Sequence, residues 1–68
     1  MDSVESFILN GADLQLFRSS YGYVLMLWNN GVLRLTIACQ NAEQGLDLFD
    51  AGVEAIRAEA QQIEFQLN

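Results

Sequence analysis

The stretch Phe7-Ile8-Leu9-Asn10-Gly11-Ala12-Asp13-Leu14-Gln15-Leu16 decides the fold. Asn10-Gly11 stands between two apolar runs, and both residues tolerate the positive φ that a two-residue hairpin turn requires. The stretch therefore predicts two antiparallel strands. Reading outward, Ser19-Ser20 separates the second run from Tyr23 to Trp28, and Asn29-Asn30-Gly31 separates that run from Val32 to Ala38. The pattern predicts strands over about 4–9, 12–18, 21–28 and 32–39, joined by tight turns into a meander.

The pattern then changes period. Asn41 is a good helix N-cap, and Gln44 three residues on can close a capping box. Leu46, Phe49, Val53, Ile56, Ala60 and Ile63 recur at spacings of three and four, which puts them on one helical face. Gly52 interrupts this face at a cost of ~1 kcal/mol relative to Ala. It reads either as a tolerated glycine or as one kept for close packing. The predicted helix covers about 42–62. Gln62 to Leu67 alternates like a strand, but no Gly or Pro precedes it as a stop, which favours continuation of the helix. The fold class is α+β: a four-stranded antiparallel meander with one long C-terminal helix packed on one face. An extra C-terminal strand is the alternative for residues 62–68.

Length and composition bound the rest. A chain of 68 residues is read as a single domain over 1–68. A domain near this size buries only about 60% of its unfolded surface, so outside support is expected. Cys39 is the lone cysteine and histidine is absent, so neither an internal disulfide nor a zinc site is expected. A second subunit or a bound partner remains. The net charge of −6 comes from nine Asp and Glu against Arg18, Arg34 and Arg57, with no lysine. Direct nucleic-acid binding needs cations that displace counterions from phosphates, and anionic membranes need them too. Neither partner is expected, whereas a basic protein partner suits this charge. No basic n-region opens the sequence and its apolar runs are short, which with the lone thiol points to the cytoplasm.

Turn geometry assigns side chains to faces. Asn10-Gly11 as a two-residue loop sets Phe7 opposite Leu14. A Ser19-Ser20 turn sets Leu16 opposite Tyr23 and Leu14 opposite Leu25. A three-residue Asn29-Asn30-Gly31 loop sets Leu27 opposite Leu33 and Leu25 opposite Leu35, whereas a two-residue loop there exchanges the faces of the last strand. The helix-facing surface is then Phe7, Leu14, Leu16, Tyr23, Leu25, Leu27, Leu33, Leu35 and Ile37. The other face holds Ile8, Asp13, Gln15, Phe17, Val24, Met26, Trp28, Val32, Arg34 and Thr36. One helix cannot cover both faces. Phe17, Val24, Met26, Trp28 and Val32 are therefore candidate contacts for a protein partner or for a second copy in a homodimer. Shielding by chain ends and side-chain stems is the plainer reading.

Glu43, Asp47, Asp50 and Glu54 follow spacings of four, three and four, which makes an acidic stripe along the helix away from its apolar face. A solvated helix face is its plainest reading. The functional reading is a docking surface for a basic groove, with carboxylates standing in for phosphates. A divalent-metal site is disfavoured, because a straight helix sets carboxylates along a line rather than around a point.

An enzyme is not expected. The commonest general base and the Schiff-base amine are both missing. Cys39 and the serines lack a histidine partner, and no glycine pattern cradles phosphate. No catalytic residue, cofactor or metal is assigned. The sequence reads as a small, acidic, non-enzymatic protein-binding module, an inhibitor or adaptor for a larger basic, nucleic-acid-handling protein. Small acidic counter-defence proteins of phages and mobile elements, the anti-CRISPR proteins among them, are the analogy of class. The alternative is a structural homodimer packed through the spare sheet face.

Overall fold

The computed structural model describes residues 1–67. Four eight-residue strands, β1 (Asp2–Leu9), β2 (Ala12–Ser19), β3 (Gly22–Asn29) and β4 (Val32–Cys39), pair in the order β1-β2-β3-β4, all antiparallel. One helix, α1 (Ala42–Leu67), follows and packs on one face of the sheet. The expected α+β meander is the observed fold. The backbone stays helical through Leu67, so residues 62–67 extend the helix and form no fifth strand.

The two Asn-Gly turns do what their chemistry demands. Asn10 and Asn30 take φ of 50° and 52°, and Gly11 and Gly31 take 87° and 82°. Positive φ at both central residues is the primed turn geometry, whose twist matches the strands it joins. The turns sit side by side at one end of the sheet, where the Asn30 N–H donates to the Gly11 carbonyl at 2.8 Å.

Two registers differ from expectation. The β2–β3 turn is Ser20-Tyr21 rather than Ser19-Ser20, because Ser19 pairs with Gly22. Its hydroxyl serves the turn, accepting the Tyr21 N–H at 3.2 Å and donating to the Gly22 carbonyl at 3.3 Å. Leu16 therefore faces Leu25 and Leu14 faces Leu27, a slip of two residues. Side chains repeat with period two, so every face assignment on β2 and β3 survives. The second change is at β3–β4. Asn30-Gly31 is a two-residue loop, with Asn29 paired to Val32 and Trp28 to Leu33. A register shift then returns Leu35 to Leu27 and Ile37 to Leu25. A two-residue loop by itself would invert all of β4. The bulge at Arg34 supplies one extra residue and restores the parity. Only the start of the strand is exchanged: Leu33 joins the outer face beside Trp28, and Val32 leaves it.

The core is Leu14, Leu16, Leu25, Cys39 and Phe49, with Phe7, Tyr23, Leu27, Ile37, Leu48, Val53 and Ile56 packed around it. Cys39 is buried as a small apolar side chain at the end of β4. The line of closest helix–sheet approach runs through two glycines. A Cβ on Gly45 would lie 2.9 Å from Leu16 Cδ1, and one on Gly52 would lie 2.7 Å from Leu14 Cδ2. Close packing is thus what Gly52 is for. Because that line passes through positions 45 and 52, Leu46 stands about 100° off it. It is 39% exposed, and Leu48 takes the place expected of it in the packing.

The helix start is capped as read. Asn41 Oδ1 accepts the Gln44 N–H at 2.8 Å, the Asn41 carbonyl accepts the Gly45 N–H at 3.1 Å, and Gln44 Oε1 accepts the N–H of Gln40. The side-chain return reaches one residue before the N-cap, where the box geometry would place it on the cap itself.

Candidate functional site

Two surfaces collect the candidate residues, and they lie on opposite sides of the molecule. α1 covers one face of the sheet, and no part of the described chain covers the other. On that outer face Phe17, Val24, Met26 and Trp28 are half-buried among their neighbours. Phe17 pairs with Val24, Gln15 with Met26 and Asp13 with Trp28, so the four apolar residues follow one another along the β2–β3 ladder. The Phe17 and Trp28 rings meet across the intervening Gln15–Met26 pair, with centroids 6.3 Å apart and planes at 87°. This edge-to-face contact sets the positive rim of one ring against the negative face of the other.

The rim of this patch is more exposed. Ile8, opposite Asp13, is 68% exposed, and Leu33, opposite Trp28, is 46% exposed. Val32, a member of the expected set, instead pairs with Asn29 at the turn. Leu33 is the apolar residue that sequence reading missed. Its placement follows from the two-residue Asn30-Gly31 loop, the alternative that exchanges faces at the start of β4, and the bulge at Arg34 confines the exchange to that start.

Charge is nearly absent from this face. Of the nine Asp and Glu residues, Asp13 is the one that the strand registers place there, and it accepts a hydrogen bond from Gln15 Nε2 at 3.0 Å. Arg34 is the unpaired residue of the β4 bulge. Asp2 and Arg18 pair with each other on the helix side, 3.8 Å apart and both well exposed. An ion pair so open to water adds little.

The acidic stripe sits on the far side. Glu43, Asp47, Asp50 and Glu54 are all exposed. At about 100° per residue they centre roughly half a turn from Gly45 and Gly52, pointing straight away from the sheet. The stripe and the apolar face are therefore back to back, with the sheet and helix layers between them. Arg57, the cation of the helix, lies off the stripe: its guanidinium stands 5.2 Å from the centre of the Phe7 ring on β1. Among the described residues no group of three or more Cys, Asp or Glu side chains is placed to hold a metal ion, and no helix is long and apolar enough to cross a membrane.

Comparison with known proteins brings no match, whether to protein-family models, to curated proteins or to solved structures.

Proposed function

We propose that the chain is a small, acidic, non-enzymatic protein-binding module, an inhibitor or adaptor that docks on a larger basic, nucleic-acid-handling protein. The observation that carries this reading is the disposition of charge. Four carboxylates stand exposed along one ridge of α1, and the chain's few cations lie elsewhere. Like charges spaced along a helix weaken it slightly, and Glu54 is too far from the N-terminus to gain from the helix dipole. Opposite a basic groove the same charges become favourable, because they steer encounter and set register. A counter-defence protein acting on a nuclease complex is one setting in which carboxylates replacing phosphates would serve.

The test is partner capture by the protein and by its Asp47→Lys/Asp50→Lys variant. Capture reduced several-fold or more supports the ridge as the contact. Undiminished capture removes the ridge from the mechanism.

A second reading has its own observation. Among the described residues Asp13 is the one carboxylate that the strand registers place on the outer sheet face, so two copies of a chain with net charge −6 bring few carboxylates together there. Four strands at about 4.8 Å spacing and about 26 Å length present roughly 500 Å² a side. Two such faces reach about 1,000 Å², the lower bound for a specific interface. Sedimentation equilibrium decides it. A dimer that Trp28→Glu converts to monomer supports sheet-to-sheet packing, and a monomer at all concentrations excludes it. Such a dimer would still display one acidic ridge on each outer side.

A further inference from the structure

One helix is too narrow for the sheet it covers. Four strands span roughly 19 Å, and a helix with its side chains is about 10 Å across. α1 rests mainly on β2 and β3, with Gly45 and Gly52 on Leu16 and Leu14, while Arg57 reaches Phe7 on β1 and β4 is the strand the helix touches least. What remains is an open trough of about 300 Å³ between α1 and β4. Its floor includes Leu27, Leu35 and Ile37, and its wall includes Leu48, Gly52 and Ala55. Leu35 is 43% exposed, although its register points it to the helix side of the sheet.

We infer that this trough seats an amphipathic helix of the protein partner, apolar toward β4 and basic along its edges. The inference rests on the reading of a basic partner given above and names the element that docks. Two observations select this occupant. The flank of α1 that borders the trough carries Ala51, Ala55 and Ala58, all exposed and all small, so a second helix can approach closely. An added strand would extend the sheet beyond β4 and leave Leu35 and Ile37 uncovered, because a new strand lies beside the sheet rather than over it.

Charge chooses the partner. Glu59 lines the trough, and Arg57 is on the opposite flank of α1. A helix laid beside α1 meets the Glu59 carboxylate, which a lysine or arginine edge complements and an acidic edge repels. A second copy is the poorer occupant, since its helix offers acids and the single Arg57. The wall from Leu48 to Glu59 is about 17 Å long, so the docked segment needs about three turns.

The test uses a synthetic 14-residue peptide with leucines on one helical face and lysines along both edges. Its controls replace lysine by glutamate or scramble the order. Titration into the ¹⁵N-labelled protein should be saturable, should shift the amides of Leu35, Ile37 and Ala55, and should be at least ten-fold weaker for both controls. Ala55→Trp, which fills the trough, should weaken binding at least ten-fold. Leu35→Glu should weaken it as well, although it adds an acid. Absence of binding, shifts centred on Phe17, Met26 and Trp28, or tighter binding to Leu35→Glu would each overturn the inference, the last showing mere attraction to carboxylates. Self-association lost in Ala55→Trp would assign the trough to a second copy and overturn it too. The peptide needs no natural partner, so a failed titration rejects the trough while leaving the capture test of the acidic ridge standing.

Discussion

Gly52 of α1 lies directly on Leu14 of β2, so close that a Cβ at position 52 would come within 2.7 Å of Leu14 Cδ2. Leu14 is nearly fully buried, so the space above it is spoken for. Gly52→Ala sets two effects against each other. The helix gains ~1 kcal/mol in propensity, and Leu14 must turn its methyl aside. The expected net is a loss below about 1 kcal/mol, whereas Gly52→Leu overpacks the interface and costs about 3 kcal/mol. Urea denaturation of Gly52→Leu, Leu14→Ala and the double variant closes the cycle. The double variant should be more stable than the sum of the two losses, because the cavity left by Leu14 accepts the new side chain. Strict additivity would mean the two positions do not share that space.

The two primed turns should differ in their tolerance of alanine. Gly11 and Gly31 hold similar positive φ, so both substitutions carry roughly 1–2 kcal/mol of backbone strain. A Cβ on Gly31 meets nothing within 4 Å, whereas one on Gly11 runs into the Asn30 side chain. Gly11→Ala is therefore expected to lower the thermal midpoint more than Gly31→Ala. Equal losses would show that Asn30 moves aside freely.

Capping at the start of α1 makes a third expectation. Asn41→Ala removes the acceptor for the Gln44 N–H and should cost about 1 kcal/mol. Asn41→Asp keeps the acceptor and adds a negative charge at the positive end of the helix, so it should match or exceed the parent. Denaturant midpoints of the two variants separate loss of the hydrogen bond from any effect of side-chain size.

On the outer face, the edge-to-face contact of Phe17 and Trp28 should appear as coupling of about 0.5–1.5 kcal/mol in a Phe17→Leu/Trp28→Leu cycle. Intrinsic tryptophan fluorescence of the folded protein should also change in Phe17→Leu, since the ring packed against the indole is lost. Zero coupling together with an unchanged spectrum would mean that the rings are neighbours without a mutual preference.

The sequence by itself determined the element order, the sheet topology and the primed Asn10-Gly11 turn, because these rest on local chemistry: an Asn-Gly dipeptide between apolar runs, period-two alternation and the Asn41 cap. It also determined the two-sided layout, since a lone helix must leave one sheet face bare and the acidic stripe follows from spacing alone. Tertiary structure decided which residues meet. The Ser20-Tyr21 turn, the two-residue Asn30-Gly31 loop and the bulge at Arg34 set the pairing of β3 with its neighbours, and ladder hydrogen bonding between distant residues chooses among turns of nearly equal local preference. The choice of the two-residue loop is why Leu33 and not Val32 stands beside Trp28. Packing decided where the helix rests. Gly45 and Gly52 let α1 sink onto Leu16 and Leu14, which turned Leu46 outward, drew Leu48 in and left the Leu35–Ile37 trough open. A helical wheel ranks residues by hydrophobicity, but the closest approach of a helix to a sheet is set by the absence of side chains. That property becomes visible only when the opposing surface is in place.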